Sequence, residues 1–152
     1  MANTYTQIYI QVVFAVKGRM NLIRREWKEE LFKYITGIVR NEKQKLIAIN
    51  GVLDHIHILL GIKPDIALSD LVSDIKANSS RFINDKRFVR GRFSWQEGFG
   101  AFSCSHRELD SVIHYIANQE EHHSKKTFRE EYEEMLKAYQ IDYNKKYVFE
   151  EN

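Results

Sequence analysis

The chain has 152 residues, 43% hydrophobic and 12% aromatic, with a net charge of +2, a composition that fits one folded domain over residues 1–152 and excludes a disordered tail. A single cysteine, Cys104, excludes an internal disulfide and a cysteine-built zinc site; it reads as a small core residue in a reducing cytoplasm. No run approaches the roughly eighteen apolar residues that a membrane helix requires, so the sequence predicts a soluble, unsecreted protein with no membrane partner.

Taken in order, Tyr5 to Val16 alternates as a first strand, with Ile8, Ile10, Val12, Phe14 and Val16 on one side. Arg24 to Asn41 repeats Trp27, Leu31, Tyr34, Ile35 and Ile38 at helical spacing. Leu46–Ile49 and His55–Ile62 read as a hairpin around Asn50-Gly51, a strong turn dipeptide. The only proline, Pro64, falls in the loop that follows, and a second helix runs from about Ser69 to Asn84 on Leu71, Val72, Ile75, Phe82 and Ile83. A fourth strand lies between Phe93 and Ser103, where Gly98 and Gly100 mark a bulge or bend. The third helix opens on the capping box Ser105-His106-Arg107-Glu108 and carries Leu109, Val112, Ile113, Ile116 and Ala117; a fourth spans about Phe128 to Tyr139. The order β-α-β-β-α-β is that of an α+β, ferredoxin-like or RRM-like antiparallel sheet, here with additional C-terminal helices.

Two segments carry chemistry. In a strand, side chains at i and i+2 leave the same face, so His55 and His57 point the same way. Imidazole is the commonest metal-binding side chain, yet two ligands are too few alone, and paired strand histidines are more often polar-face or core residues. In a helix, Tyr115 and Gln119 are neighbours one turn apart at the edge of the apolar stripe. A charge asymmetry adds a third feature: residues 1–95 carry 16 Lys+Arg against 9 Asp+Glu, and residues 96–152 carry 7 against 12. Within Arg81–Trp95, five cations interleave with three phenylalanines and a tryptophan, a mixture suited to phosphates and unstacked bases or, equally, to a solvated helix end whose aromatics face the core. Lys76, Arg81, Lys86, Arg87, Arg90 and Arg92 are the candidate phosphate contacts. The acidic run Glu130–Glu134 reads as a solvated helix face.

Asp54-His55-Ile56-His57, Gly98-Phe99-Gly100-Ala101-Phe102, Tyr115-Ile116-Ala117-Asn118-Gln119 and the trailing Glu121-His122-His123 together resemble the small single-tyrosine HUH transposases of bacterial insertion sequences. Motif order, spacing and length all fit, over essentially the whole chain. The resemblance implies that His55, His57 and Gln119 bind a divalent cation, magnesium or manganese, and that Tyr115 attacks a DNA phosphate to leave a 5′-phosphotyrosine and a free 3′-hydroxyl. By ligand softness, two imidazoles with one oxygen suit manganese and zinc better than magnesium. The resemblance further implies a single-stranded DNA substrate with hairpin ends and a homodimer in which the tyrosine helix of one subunit completes the other's histidine pair; the sequence itself leaves completion in cis or in trans open. It implies no small-molecule cofactor and a bacterial or archaeal cytoplasm. An unperturbed tyrosine has a pKa near 10, so a proton acceptor is needed: His122, a metal-bound water or solvent. Glu120, in line with the third helix's apolar stripe, hints that this turn leaves the domain. The alternatives are an HUH nickase, a domesticated relative acting on chromosomal repeats, or an RNA-recognition-type module using Gly98–Phe102 to stack bases.

Overall fold

The computed structural model describes residues 3–143. Four strands, β1 (Ile8–Ala15), β2 (Lys45–Val52), β3 (His55–Ile62) and β4 (Gly100–Cys104), form one antiparallel sheet in the order β2-β3-β1-β4. With α1 (Arg25–Asn41) after β1 and α2 (Leu68–Lys86) after β3, this is the expected ferredoxin-like α+β order. The C-terminal extension comprises α3 (Leu109–Ala117), α4 (Gln119–His123) and α5 (Phe128–Ala138).

Strand alternation decides which residues build which side. Val12, Phe14, Ile56, Ile58 and Leu60 join Leu31, Ile35, Val39, Leu71, Ile75 and Ile83 of α1 and α2 in the main core. The intervening residues go to the opposite face. There Val13, Ala15 and Phe102 pack under Phe128 and Leu136 of α5, and Leu59 and Cys104 pack under Ile116 of α3. Cys104 is buried, as a small core residue should be.

Four local expectations change. The hairpin turn is Leu53-Asp54, because Asn50 pairs with His57 and Gly51 with Ile56 inside the ladder. Gly51 has no left-handed backbone; the glycines with positive φ are Gly18, Gly91 and Gly98. It is needed for space. A Cβ there would collide with the His55 carbonyl oxygen and stand 2.7 Å from Ile56 Cγ2. The fourth strand begins only at Gly100: Gly98 (φ 82°) turns the chain, and Trp95 upstream makes a lone bridge to Val16. The third helix breaks at Asn118 (φ −99°, ψ 24°) and restarts at Gln119. Glu120 stays with the domain, pairing with Arg25 (2.8 Å) and Lys28 (3.1 Å) at the start of α1.

Gly51→Ala tests the space argument. Forcing a methyl against backbone should destabilise the protein by about 1–3 kcal/mol in denaturant unfolding. A loss below about 0.5 kcal/mol, typical of an unconstrained surface site, would show that β2 moves aside freely.

Candidate metal centre and nucleophile

His55 and His57 are both fully buried on the sheet face opposite the main core. That face is covered because α3 is tied down: the Asn50 side-chain amide donates to the carbonyls of Ile116 (3.0 Å) and Ala117 (3.1 Å), the last residues of the helix. These carbonyls have no partner within the helix, so a strand side chain supplies one. Just before them in the same turn, Tyr115 comes to rest with its ring 5.8 Å from that of His57. Gln119, also fully buried, places Oε1 3.3 Å from His55 Nε2 and reaches the Tyr115 carbonyl with Nε2. One chain thus brings together Tyr115, His55, His57 and Gln119.

Two further residues complete the cluster. Glu131 of α5 is 1% exposed, not part of a solvated face. Its Oε1 lies 3.3 Å from His55 Nε2, 3.1 Å from His57 Nε2 and 2.9 Å from His123 Nε2. Its Oε2 accepts the Tyr115 hydroxyl and the Gln119 amide, with His122 Nε2 at 3.5 Å. A signal was present in the sequence: Glu131 stands three residues after Phe128 and five before Leu136, on the stripe that α5 buries, while Glu130 and Glu134 beside it are exposed. The ligand atoms of His55, His57, His123 and Glu131 all lie within 4.8 Å of one another, and this buried set of three imidazoles and a carboxylate could hold a metal ion. A cleft of about 710 Å³ reaches the cluster at His123 and Phe128, passing Asp54, Lys28, Lys125 and Lys126.

The electrostatics follow from burial and one carboxylate. Burial raises the Tyr115 phenol well above its usual range, and the charge and hydrogen bond of Glu131 push the same way. Burial alone would raise Glu131, but hydrogen bonds from His123, His55 and His57 outweigh it and hold the carboxyl far below its usual range. His55 and His57 move oppositely. Burial works against the charged form of both, and wins at His57, which has only the Gln11 amide on its outer nitrogen (3.0 Å). At His55, Asp54 (2.8 Å) and Glu131 overcome it and raise the pKa.

The predicted DNA contacts sit elsewhere. Arg81, Lys86, Arg87, Arg90 and Arg92 are exposed along the end of α2 and the loop after it, across the sheet from the histidines. Their aromatic neighbours turn inward: Phe93 and Trp95 are buried, Phe88 stacks on Trp27 (5.0 Å) and Phe82 on Tyr34 (4.1 Å). Lys76 departs from the other five cations. Its ammonium donates to the carbonyls of Gln96 (2.6 Å) and Gly98 (2.9 Å), and burial lowers its pKa. On β4, Phe102 is 1% exposed and lies beneath Tyr132 and Tyr139, so α5 and the residue after it cover the ring that a base-stacking module would present.

Residues 4–119 match the family model described as "Transposase IS200 like". Among solved structures, the chain is similar to a protein from Deinococcus radiodurans described as a transposase (TM-score 0.63, 21% identity), over 77% of this chain and 94% of that one. It is also similar to a REP-associated tyrosine transposase bound to a REP hairpin (TM-score 0.59, 14% identity), over 76% of this chain and 68% of that one. At these identities the two structures support the fold. No curated protein matches the chain.

For Lys76 the contacts predict a structural role. Lys76→Ala strands two carbonyls and should cost about 1–3 kcal/mol in thermal or denaturant unfolding, while the salt slope of DNA binding stays the same. A slope reduced by about one would instead mark a phosphate contact.

Proposed function

The chain belongs to the IS200-like transposase family, and on that footing we propose that it cleaves and rejoins single-stranded DNA at hairpin-bearing element ends, with Tyr115 as the covalent nucleophile. The observation that carries this reading is the meeting, in one chain, of a half-buried tyrosine with a buried imidazole pair. Tyr115 Oη attacks a phosphorus, the phosphorus–3′-oxygen bond breaks, and the product is a 5′-phosphotyrosine with a free 3′-hydroxyl. The intermediate is itself a phosphodiester. A second 3′-hydroxyl can therefore reverse the step on a new partner without an external energy source.

The protein groups divide the work. His55 and His57 fit a divalent cation, which when bound supplies a Lewis acid for the charge developing on the phosphate oxygens. Gln119 fixes Tyr115 and His55 relative to each other through its two amide atoms. Glu131 Oε2 holds the phenolic hydrogen; His122, the acceptor expected from sequence, lies beside the Tyr115 ring (5.1 Å) but does not receive that hydrogen bond. The carboxylate that makes the phenol harder to ionise is also the atom placed to take its proton. A flexible strand entering by the cleft at His123 can bend its phosphate toward this point more easily than a duplex can. Since all these groups belong to one chain, the homodimer implied by the resemblance would serve to hold two DNA ends together.

The decisive assay incubates the protein and a divalent metal with labelled single-stranded element ends and looks for an adduct that survives denaturation. Tyr115→Phe removes one oxygen, so it should preserve folding and DNA affinity while reducing adduct and cleavage to background. An adduct mapped to Tyr5, Tyr9, Tyr34, Tyr132, Tyr139 or Tyr143, or to Tyr147 outside the described residues, would overturn the assignment.

The five exposed cations provide a separate check on how DNA is held. Neutralising Arg81, Lys86, Arg87, Arg90 or Arg92 should lower the salt slope of hairpin binding by about one for each true phosphate contact. Five unchanged slopes would place the DNA surface elsewhere.

A further inference from the structure

The Nε2 atoms of His55, His57 and His123 converge on one oxygen, Glu131 Oε1, from 3.3, 3.1 and 2.9 Å. What lies on the outer nitrogen of each ring determines what the inner one offers. His55 Nδ1 is 2.8 Å from Asp54 Oδ1, and His123 Nδ1 is 2.8 Å from the Lys126 carbonyl. Both outer partners are acceptors, so each Nδ1 carries the hydrogen and, in the neutral ring, Nε2 turns a bare lone pair inward. At His57 the outer partner is the Gln11 amide nitrogen, which donates to Nδ1 at 3.0 Å and leaves the ring hydrogen on Nε2; a metal on Nε2 requires this amide to turn its oxygen to the ring.

The lone pairs of His55 and His123, aimed at a carboxylate oxygen, repel it. A single divalent ion among the four donors would satisfy the three rings and the carboxylate together. The distances to Oε1 already approach the roughly 3.3 Å between donors around a four-coordinate ion with bonds near 2.0 Å.

We infer that His123 and Glu131, not Gln119, complete the coordination shell of His55 and His57, and that the resident ion of this chain is a transition metal of the zinc class, not magnesium. Three imidazoles and one carboxylate form a nitrogen-rich, low-coordinate set, whereas magnesium demands six oxygen-type donors and keeps several waters. Gln119 approaches only His55 with its oxygen, and its amide nitrogen already serves Glu131. It positions the nucleophile. Both added donors lie beyond residue 119, where the match to the family model ends. Asp54 and the Lys126 carbonyl are the outer partners that orient the rings.

The inference borrows from the proposed function only the location of the site. Its test uses the full chain, stripped with chelator and titrated with zinc alone and magnesium alone against a chromophoric competitor. One zinc per chain is expected, undisplaced by magnesium at about a thousandfold excess. His123→Ala and Glu131→Gln should each weaken zinc binding by about tenfold or more, the scale seen when even an outer partner is lost, and Gln119→Ala by less than about threefold. Cobalt(II) bound to the unmutated chain supplies a readout independent of variant folding. An intense visible spectrum marks a low-coordinate protein shell, and a faint one marks six-coordination. No zinc uptake, displacement by magnesium, a faint cobalt spectrum, or a folded His123→Ala with unchanged affinity would overturn the inference. Zinc bound as expected without any tyrosine adduct would remove the transposase reading of the site and leave the metal centre standing.

Discussion

Burying the Glu131 carboxylate is the constraint on which the second half of the structure depends. An isolated carboxylate taken out of water costs several kcal/mol or more, so the 1% exposure of Glu131 is tolerable only where donors or a cation surround it. Three imidazoles, a phenol and an amide do so, from β3, α3 and α4. For the carboxylate to stand there, α5 must lie across the sheet. Phe128 holds it by stacking on His55 (4.1 Å), and Leu136 by packing with Val13, Ala15 and Phe102. Gly100 matters for the same reason: a Cβ there would lie 2.6 Å from the Tyr132 hydroxyl and push the helix away.

The sheet separates stability from chemistry. Its helix-covered face carries an ordinary aliphatic core, in which Ile56, Ile58 and Leu60 are fully buried among α1 and α2 side chains. Its other face shares the same strands but presents the intervening residues, so the histidines are held as rigidly as the core that lies between them. Asn50 links the two halves. By capping α3 from β2, it fixes the register between the strand that bears the imidazoles and the helix that bears the tyrosine. A functional side chain on a paired strand is more precisely held than one on a loop.

The family match and the cluster overlap without coinciding. Residues 4–119 include the histidine pair, Tyr115 and Gln119, whereas His123 and Glu131 come from the segment that follows. The added donors change the character of the site from two imidazoles and an amide to three imidazoles and a carboxylate. Glu131 also brings the Tyr115 hydroxyl and the imidazoles onto the two oxygens of one carboxylate, which couples the protonation of the phenol to the charge held among the rings.

What the sequence determined by itself is whatever depends on spacing along one element. The alternation of β3 places His55 and His57 together and sends Ile56 and Ile58 the other way; the helical period of α3 brings Tyr115 to within a turn of Gln119; the order of apolar runs specifies the sheet. Local chemistry misled where a residue's partner is distant. Asn50-Gly51 has the composition of a turn, yet Asn50 is wanted 66 residues away at Ile116, and Gly51 is wanted for the room its missing side chain leaves beside His55. Lys76 has the look of a surface cation until the carbonyls of Gln96 and Gly98 fold against it. Glu131 lies in an acidic run in which Glu130 and Glu134 are exposed, and only docking α5 on the sheet face that bears the histidines decides that this one is not. Periodicity is a property of the chain, while the desolvation and pairing of a charge depend on everything the fold brings around it.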